Sequence, residues 1–289
     1  LQLFRTMGWK APKYVHTAQL MKMDGGSKRK LSKRKDPELA LDFYNAEGYP
    51  VPSVLEYLMT LLNSNFEDWR LANPTAPMGD FQFTTKKMGN SGSLFDIDKL
   101  KDVSKNTISV MSADQVYDEV TAWAKDFDPQ LYTLLTADEQ KAKAIFAIGR
   151  GGAKPRKDIA IWSEVKDYVA FFYEELFTAA SEYPENVSTQ DALDILTQYR
   201  SLYSPADDGE TWFNKVRELG ESLGFAAKPK DYKKNPDQYK GHVGDVSQVI
   251  RLAITGRTNS PDLCSVMQIL GEEVCQQRLA QAIELLSNR

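Results

Sequence analysis

Apolar positions recur at helical spacing over most of the chain. Leu39, Ala40, Phe43 and Tyr44 share one face, and Val54, Leu55, Leu58, Leu61 and Leu62 share another after Pro52. Asp36-Pro37 reads as an N-cap with proline at the first helical position, and Gly48-Tyr49-Pro50 separates the two helices into a hairpin. A further helical stretch starts near Phe95 and resumes from Val116 to Trp123. Thr136 with Glu139 forms a capping-box pattern before Ala142 to Ile148, and Ile161 to Phe177 predicts one strongly aromatic helix. Ser188 with Asp191 caps a helix through Tyr199, Asp207 to Leu223 gives the next, and three more run near 243–255, 261–270 and 272–286, stopped by Gly256 and Gly271. Lys228 to Lys240 reads as an exposed polar loop. Extended segments are few: Tyr14 to Thr17, Gln19 to Met23 before the Asp24-Gly25-Gly26 turn, and a short stretch at Phe81 to Thr84. The fold class is mostly α with a small extended segment at the front.

Composition narrows the classes. The 289 residues are 42% hydrophobic and carry a net charge of −4, enough for a sizeable core in more than one domain. No run approaches a membrane span or a secretory signal, so a cytoplasmic protein without a membrane partner is expected. Cys264 and Cys275 fit neither a disulfide framework nor a zinc site and read as reduced core thiols; with only His16 and His242 besides, no metal site is expected. The chain starts at Leu1 and runs at once into Leu3, Phe4 and Trp9, which reads as the middle of a packed element and hence as a fragment.

Charge is unevenly placed. Residues 1–36 hold ten Lys/Arg against two Asp/Glu, a local +8 that leaves −12 for the remainder. Six of the eight residues from Lys28 to Lys35 are cationic, around Lys30-Leu31-Ser32-Lys33-Arg34. Such a run is either a solvated or localisation-type basic loop or a polyphosphate site. Two lysines three apart with a hydroxyl between them can set charges along a triphosphate and stabilise a leaving pyrophosphate. Gly149 to Pro155, also glycine-containing and basic, lacks both the preceding strand and the closing Gly-Lys-Ser/Thr of a phosphate cradle and reads as a connector. The aromatic stripe of 161–177 reads as core packing, with base stacking as its alternative.

Three segments in register carry a resemblance. Lys30-Leu31-Ser32-Lys33-Arg34 resembles the second signature of class I aminoacyl-tRNA synthetases in its glutamyl form; Phe95-Asp96-Ile97-Asp98-Lys99-Leu100 matches the Phe-Asp-x-x-Lys-Leu of those enzymes; and Arg251 to Gly256 with Ser260-Pro261-Asp262-Leu263 resembles their anticodon-binding segment. Over nearly its whole length the chain is similar to the carboxyl half of the bacterial glutamyl-tRNA synthetase family. The resemblance implies a remnant of the catalytic domain at 1–36, a helical stem-contact subdomain at 37–128 and two helical anticodon-binding subdomains at 129–205 and 206–289. It implies that Lys30, Ser32 and Lys33 contact ATP, with Lys30 and Lys33 catalytic; that Arg34 and Lys35 reach tRNA phosphates; and that Arg251, Ser260, Pro261 and Leu263 line the anticodon pocket. Pro261 is expected to begin a helix whose free amides favour anions. The complete protein would use ATP and Mg2+ to join glutamate to tRNA(Glu), or tRNA(Gln) as well, as a monomer, and this chain alone would be inactive. The family's first signature, His-Ile-Gly-His, is nowhere in the chain. His-Gly often follows the second signature where Lys35-Asp36 stands, and Leu-Gly-Trp is common where Leu62-Asn63-Ser64 stands. A lysyl- or glutaminyl-type class I enzyme and a stand-alone helical RNA-binding module stay open, because the discriminating pocket is not in this sequence. The lysines of the basic loop are expected to be mobile and unpaired.

Overall fold

A computed structural model describes residues 1–89 and 91–288. The chain divides into two compact units, 1–110 with 159–162, and 111–158 with 163–289.

The first unit is built on a small three-stranded sheet of order β2-β1-β3, with β1 (Leu20–Asp24), β2 (Ser27–Lys30) and β3 (Ser93–Leu94). Asp24 pairs with Ser27 across a two-residue turn, and Gly25 and Gly26 take φ of 56° and 85°, the left-handed pair that matches strand twist. The basic run therefore begins as a strand. Tyr14 to Thr17 and Phe81 to Thr84, both read as extended, form no strand because no ladder partner lies beside them.

Helix α1 (Gln2–Thr6) buries nothing. Leu3 and Trp9 are exposed, the Phe4 and Trp9 rings meet edge-to-face at 6.2 Å, and no residue of α1 is buried. A 3-10 turn at Pro37–Leu39 precedes α2 (Leu41–Glu47), which is shorter than predicted because the Asp36 side chain is engaged elsewhere and does not cap. Helix α3 (Val51–Leu62) follows Pro50, and α4 (Phe66–Ala72) and α5 (Ile97–Ser109) complete the unit. The buried line of α3 is Ser53 and Tyr57, flanked by Val54 and Leu61, and Leu55 faces solvent. Ser53 is tolerated there because its hydroxyl donates to Pro50 O at 2.7 Å. Tyr57, Phe95, Leu100, Tyr49, Ile161 and Leu31 form the core, with the Tyr57 and Phe95 rings edge-to-face at 5.3 Å and the Asp96 amide donating to the Tyr57 hydroxyl at 2.6 Å. Asp96 in turn caps α5, accepting from the amides of Asp98 and Lys99.

The second unit is helical throughout. Ser112 and Gln115 make a reciprocal capping box on α6 (Ala113–Phe127). Asp128 and Asp138 cap α7 (Pro129–Ala137) and α8 (Glu139–Ala147), so the predicted Thr136/Glu139 box gives way to Asp138, with Thr136 inside α7. The aromatic stretch is not one helix. It is a 3-10 turn (Trp162–Glu164), one short helix α9 (Val165–Val169) and a second 3-10 turn (Ala170–Phe172). Two carbonyls that a continuing helix would use internally are taken by outside cations. Phe172 O accepts from Lys141 Nζ at 2.8 Å and Phe171 O from Arg278 Nη1 at 2.7 Å, and Tyr173 turns extended.

Helices α10 (Thr189–Leu202), α11 (Gly209–Ser222), α12 (Pro229–Lys234), α13 (Val243–Thr255), α14 (Leu263–Leu270) and α15 (Glu272–Ser287) complete the unit. The polar 228–240 segment, read as a loop, carries α12 because Pro229 presets its first turn. Helices α10, α13 and α15 pack on one another around Ile195, Leu196, Val246, Ile250 and Leu279. Tyr199 is buried between them, accepting from Trp212 Nε1 at 2.7 Å. Gly256 ends α13 at φ 70°, and a Cβ there would lie 2.0 Å from Thr178 O, so only glycine lets the 174–182 segment cross this close. Cys264 and Cys275 are both free and buried. Burial pushes the Cys275 thiol up to about 11.

Arg278 is 2% exposed, and its guanidinium binds Phe171 O, Ile254 O at 2.8 Å and Glu174, lying 3.6 Å from the centre of the Phe177 ring. Arg278→Met strands two buried carbonyls and should lower unfolding free energy by about 2–4 kcal/mol, read by urea denaturation followed by helical circular dichroism; a loss within experimental error of zero would remove the hub assigned to it.

Candidate functional site

The basic run is an ordered turn with cationic tips. Leu31 is buried in the core of the first unit, and its amide donates to Leu20 O at 3.1 Å. The backbone then folds on Ser32, whose carbonyl accepts from the amides of Lys35 at 3.0 Å and Asp36 at 2.8 Å. Asp36, itself buried, accepts two bonds from Arg29, at 2.7 and 2.8 Å, and one from the Ser32 amide at 2.7 Å. Arg29 also binds Asp24 at 2.6 Å, and Lys22 pairs with buried Glu38. The Arg29 guanidinium holds the Asp36 carboxyl well below the usual carboxylate range.

That arrangement divides the six cations. Arg29 is consumed by the fold, whereas the side chains of Lys28, Lys30, Lys33, Arg34 and Lys35 are exposed and form no ion pair or hydrogen bond among the described residues. Lys30, Ser32 and Lys33 are thus presented from one turn between the end of β2 and the 3-10 turn. The expectation of unpaired lysines agrees with this, but the backbone that carries them is fixed by Leu31 and Asp36. A solvated loop has no need of either anchor.

In the second unit lies a shallow recess of about 250 Å³ whose lining mixes two arginines, Arg156 and Arg257, with three carboxylates, Asp158, Glu164 and Asp167, beside Tyr168, Phe171, Asn259, Ser260 and Pro261. Each of two arginines is aimed by a carboxylate. Arg156 grips Asp158 at 2.6 and 2.9 Å, and Arg257 grips Asp167 at 2.6 and 2.7 Å, with its guanidinium 5.9 Å from the centre of the Phe171 ring. Burial, with Asp158 adding to it, pushes the Tyr168 phenol up to about 12, so it remains a neutral donor. A broader groove of about 590 Å³ shares Asp167, Arg257 and Asn259 with the recess and runs along Ala180 to Glu182.

Arg251, on α13, reaches to the rim of this recess. Its Nη1 donates to the Ser260 hydroxyl and carbonyl and to Pro261 O, the last at 3.3 Å. Its Nε and Nη2 have no hydrogen bond among the described residues. Burial, followed by the nearby Arg156 charge, pushes Arg251 below the ordinary guanidinium range. Arg251, Ser260 and Pro261 therefore come together, as the resemblance implied. Leu263 does not join them at the surface: it is 2% exposed and packs inward. Pro261 does not begin a helix either. Helix α14 starts at Leu263, and Asp262 caps it, accepting from the Ser265 amide at 2.9 Å. The amide end expected to attract an anion is occupied by the protein's own carboxylate.

Arg156 and Arg257 escaped the sequence reading, and Tyr168 entered it only as part of the aromatic stripe of 161–177. Arg156 directly follows the Gly149–Pro155 connector, and Arg257 directly follows the Gly256 stop. Basic residues flanking helix-stopping glycines were the available signal. His242, by contrast, is structural, accepting from the Gly244 amide at the start of α13. Among the described residues no group of three or more His, Cys, Asp or Glu is placed to hold a metal ion, and no helix is long and apolar enough to cross a membrane.

A profile of the family described as "Anticodon binding domain" matches residues 115–283, which include the whole arginine recess. The chain is 48% identical over 282 residues to the glutamate–tRNA ligase of Acetivibrio thermocellus and 47% identical over 290 to that of Clostridium beijerinckii, covering 98% and 99% of this chain and 52% of each relative. It thus spans about half the length of the curated relatives it matches. A crystal structure of a glutamate tRNA ligase from Elizabethkingia meningosepticum in complex with its amino acid superposes with a TM-score of 0.64 at 20% identity, over 98% of this chain and 53% of that one, which is a likeness of fold.

Arg257 holds the Asp167 carboxyl below its ordinary range, so the pair's contribution to stability is present above the unfolded value of about 3.9 and is lost as pH falls through the lower folded value. The unfolding midpoints of the parent and Asp167→Asn should differ near neutrality and converge in acid below about pH 4. A pH-independent difference would show that the ion pair is not its source.

Proposed function

This chain belongs to the anticodon binding domain family, and from that premise we propose that it is the tRNA-binding carboxyl half of a glutamate–tRNA ligase, which activates glutamate with ATP and transfers it to the 3′ end of tRNA(Glu). The observation that carries the reading is the pairing of two built features on one chain. A clamped turn presents Lys30, Ser32 and Lys33, and an arginine recess sits inside the family's matched region.

In this reading Lys30 and Lys33 neutralise ATP phosphates, and charge developing on pyrophosphate is met by the same fixed cations. Ser32, half-buried at the turn, offers a hydroxyl to a phosphate oxygen. Magnesium would accompany the nucleotide. Arg34 and Lys35, exposed beside them, suit tRNA phosphates. The nucleotide fold, the glutamate pocket and the family's first signature would come from the rest of the protein, so this chain alone would not aminoacylate.

The recess suits an unpaired base. Tyr168 and Phe171 supply aromatic surface, Arg251 has two free donor nitrogens, and Arg156 and Arg257 are preoriented by carboxylates. Single-stranded loops are read by such splaying of bases into polar, aromatic recesses. Arg251, Ser260 and Pro261 are assigned to the anticodon, and Leu263 supports them from within. Residues 37–128 are assigned to the inner side of the tRNA. A cytoplasmic monomer is the working form, with tRNA(Gln) as a second acceptor to be tested.

Arg251→Ala should weaken tRNA(Glu) binding and reduce the slope of log affinity against log salt by about one if Arg251 meets a phosphate. Lost affinity at constant slope would move its contact to a base edge, and unchanged affinity would reject the assignment. The full-length protein should show glutamate-dependent ATP–pyrophosphate exchange and charge tRNA(Glu), whereas the 289-residue chain should show neither; exchange by the chain alone would overturn the division of labour.

A further inference from the structure

We infer that Asp36, together with Arg29, is a positioning pair that presets the Lys30–Lys33 turn for polyphosphate. The inference rests on the ligase reading for its chemistry and on the geometry of the turn for its mechanics.

Asp36 is an unusual residue to find there. A buried carboxylate within a run of six cations would be expected to pair with the nearest lysine, yet none of Lys30, Lys33, Arg34 or Lys35 touches it. It is taken instead by Arg29, which lies on β2 and whose two terminal nitrogens fit the two carboxylate oxygens at 2.7 and 2.8 Å. Bidentate pairing fixes the plane of both groups, which a point-charge ammonium would not do. The same carboxylate oxygen that meets Arg29 Nη1 accepts the Ser32 amide at 2.7 Å, so strand, turn and helix entry are tied to one side chain. Lys22 stands 3.9 Å away and is held by Glu38. Arg29 Nη1 also donates to Lys30 O at 3.3 Å, so the arginine holds the backbone of the first functional lysine as well.

The functional consequence follows from which groups remain. With Arg29 and Asp36 satisfying each other, the turn's net unpaired charge is carried by side chains that point away from the clamp. Their backbone positions are set in advance, so a polyphosphate meets placed cations without first ordering the turn. Preorganised charge of this kind acts on the transition state more than on ground-state binding. Loss of the clamp should therefore lower kcat and kcat/KM together.

The test uses the full-length protein with Asp36→Asn, Arg29→Gln and the double variant, since the asparagine keeps an acceptor oxygen for the Ser32 amide while it removes the charge and sets an amide donor against one Arg29 nitrogen. Three quantities are read: hydrogen exchange of the 31–36 backbone, kcat and ATP KM of glutamate-dependent pyrophosphate exchange, and affinity for tRNA(Glu). The expected result is tenfold or faster amide exchange and a tenfold or larger fall in kcat for each single variant. ATP KM should stay within threefold and tRNA affinity within twofold, with the double variant no worse than the poorer single one. Pyrophosphate exchange within twofold of the parent in Asp36→Asn would overturn the positioning role. So would a loss of tRNA affinity matching the loss of kcat, which marks general unfolding. If the parent protein, with tRNA(Glu) present throughout, shows neither glutamate-dependent exchange nor charging, the ligase reading falls. Amide protection then decides the clamp separately: an unprotected Ser32 amide in the parent removes it.

Discussion

The second unit depends on one buried guanidinium. Arg278 leaves α15 and supplies donors to Phe171 O and Ile254 O, carbonyls that lie on different segments and have no helical partner. A buried polar group left unpaired costs more than a typical hydrogen bond gains, so these two carbonyls make the arginine hard to replace. Its position between them fixes the aromatic segment against the last turn of α13. From that contact the recess follows, because Phe171 forms its wall and α13 carries Arg251 at its rim. The exposed charge of Glu174 neutralises Arg278 from the solvent side, and the Phe177 ring covers its face.

The same use of charge recurs in the first unit with the signs exchanged. There the buried group is a carboxylate and the ligand-facing groups are cations. In both units a charged side chain is withdrawn from solvent and given several fixed partners; in the first, cations beside it stay unpaired among the described residues, whereas in the second the arginines of the recess are themselves held by carboxylates. Low-dielectric surroundings make the withdrawn group a stiff constraint, whereas the free ones retain their solvation until a ligand replaces it. Recognition chemistry and structural chemistry thus use the same residue types and differ in what surrounds them.

Helix positions were legible because burial at spacing of three and four residues is written directly into the apolar pattern, and most glycine stops fell where predicted. The aromatic 161–177 segment was not legible as a broken element. Its apolar content is that of a helix, and the cations that take its carbonyls come from Lys141 and from Arg278, more than a hundred residues on. Periodicity is local and cannot register a distant donor. The site divides in the same way. The Lys30-Leu31-Ser32-Lys33-Arg34 turn and the Arg251–Ser260 contact are short-range patterns, and they were found. Arg156 and Arg257 matter only through carboxylates and rings brought beside them by folding, and the Asp262 cap was hidden because Pro261 is an equally good helix opener on sequence alone.

The distribution of charge explains why a chain of net −4 can be read as a polyanion binder. Outside residues 1–36 the balance is −12, which would repel nucleic acid if charge acted only as a diffuse field. In the recess, however, Asp158 and Asp167 share the lining with the arginines and hold their forks at 2.6 to 2.9 Å. Such carboxylates reduce nonspecific attraction and at the same time remove the rotational freedom that an arginine would lose on binding. An acidic unit with a few oriented guanidiniums therefore trades general affinity for a contact that rewards only a partner of matching shape. The lysine turn follows the opposite rule: its exposed ammonium groups are in local excess, and in the proposed reading that excess meets a small, highly charged ligand whose recognition depends on charge more than on outline.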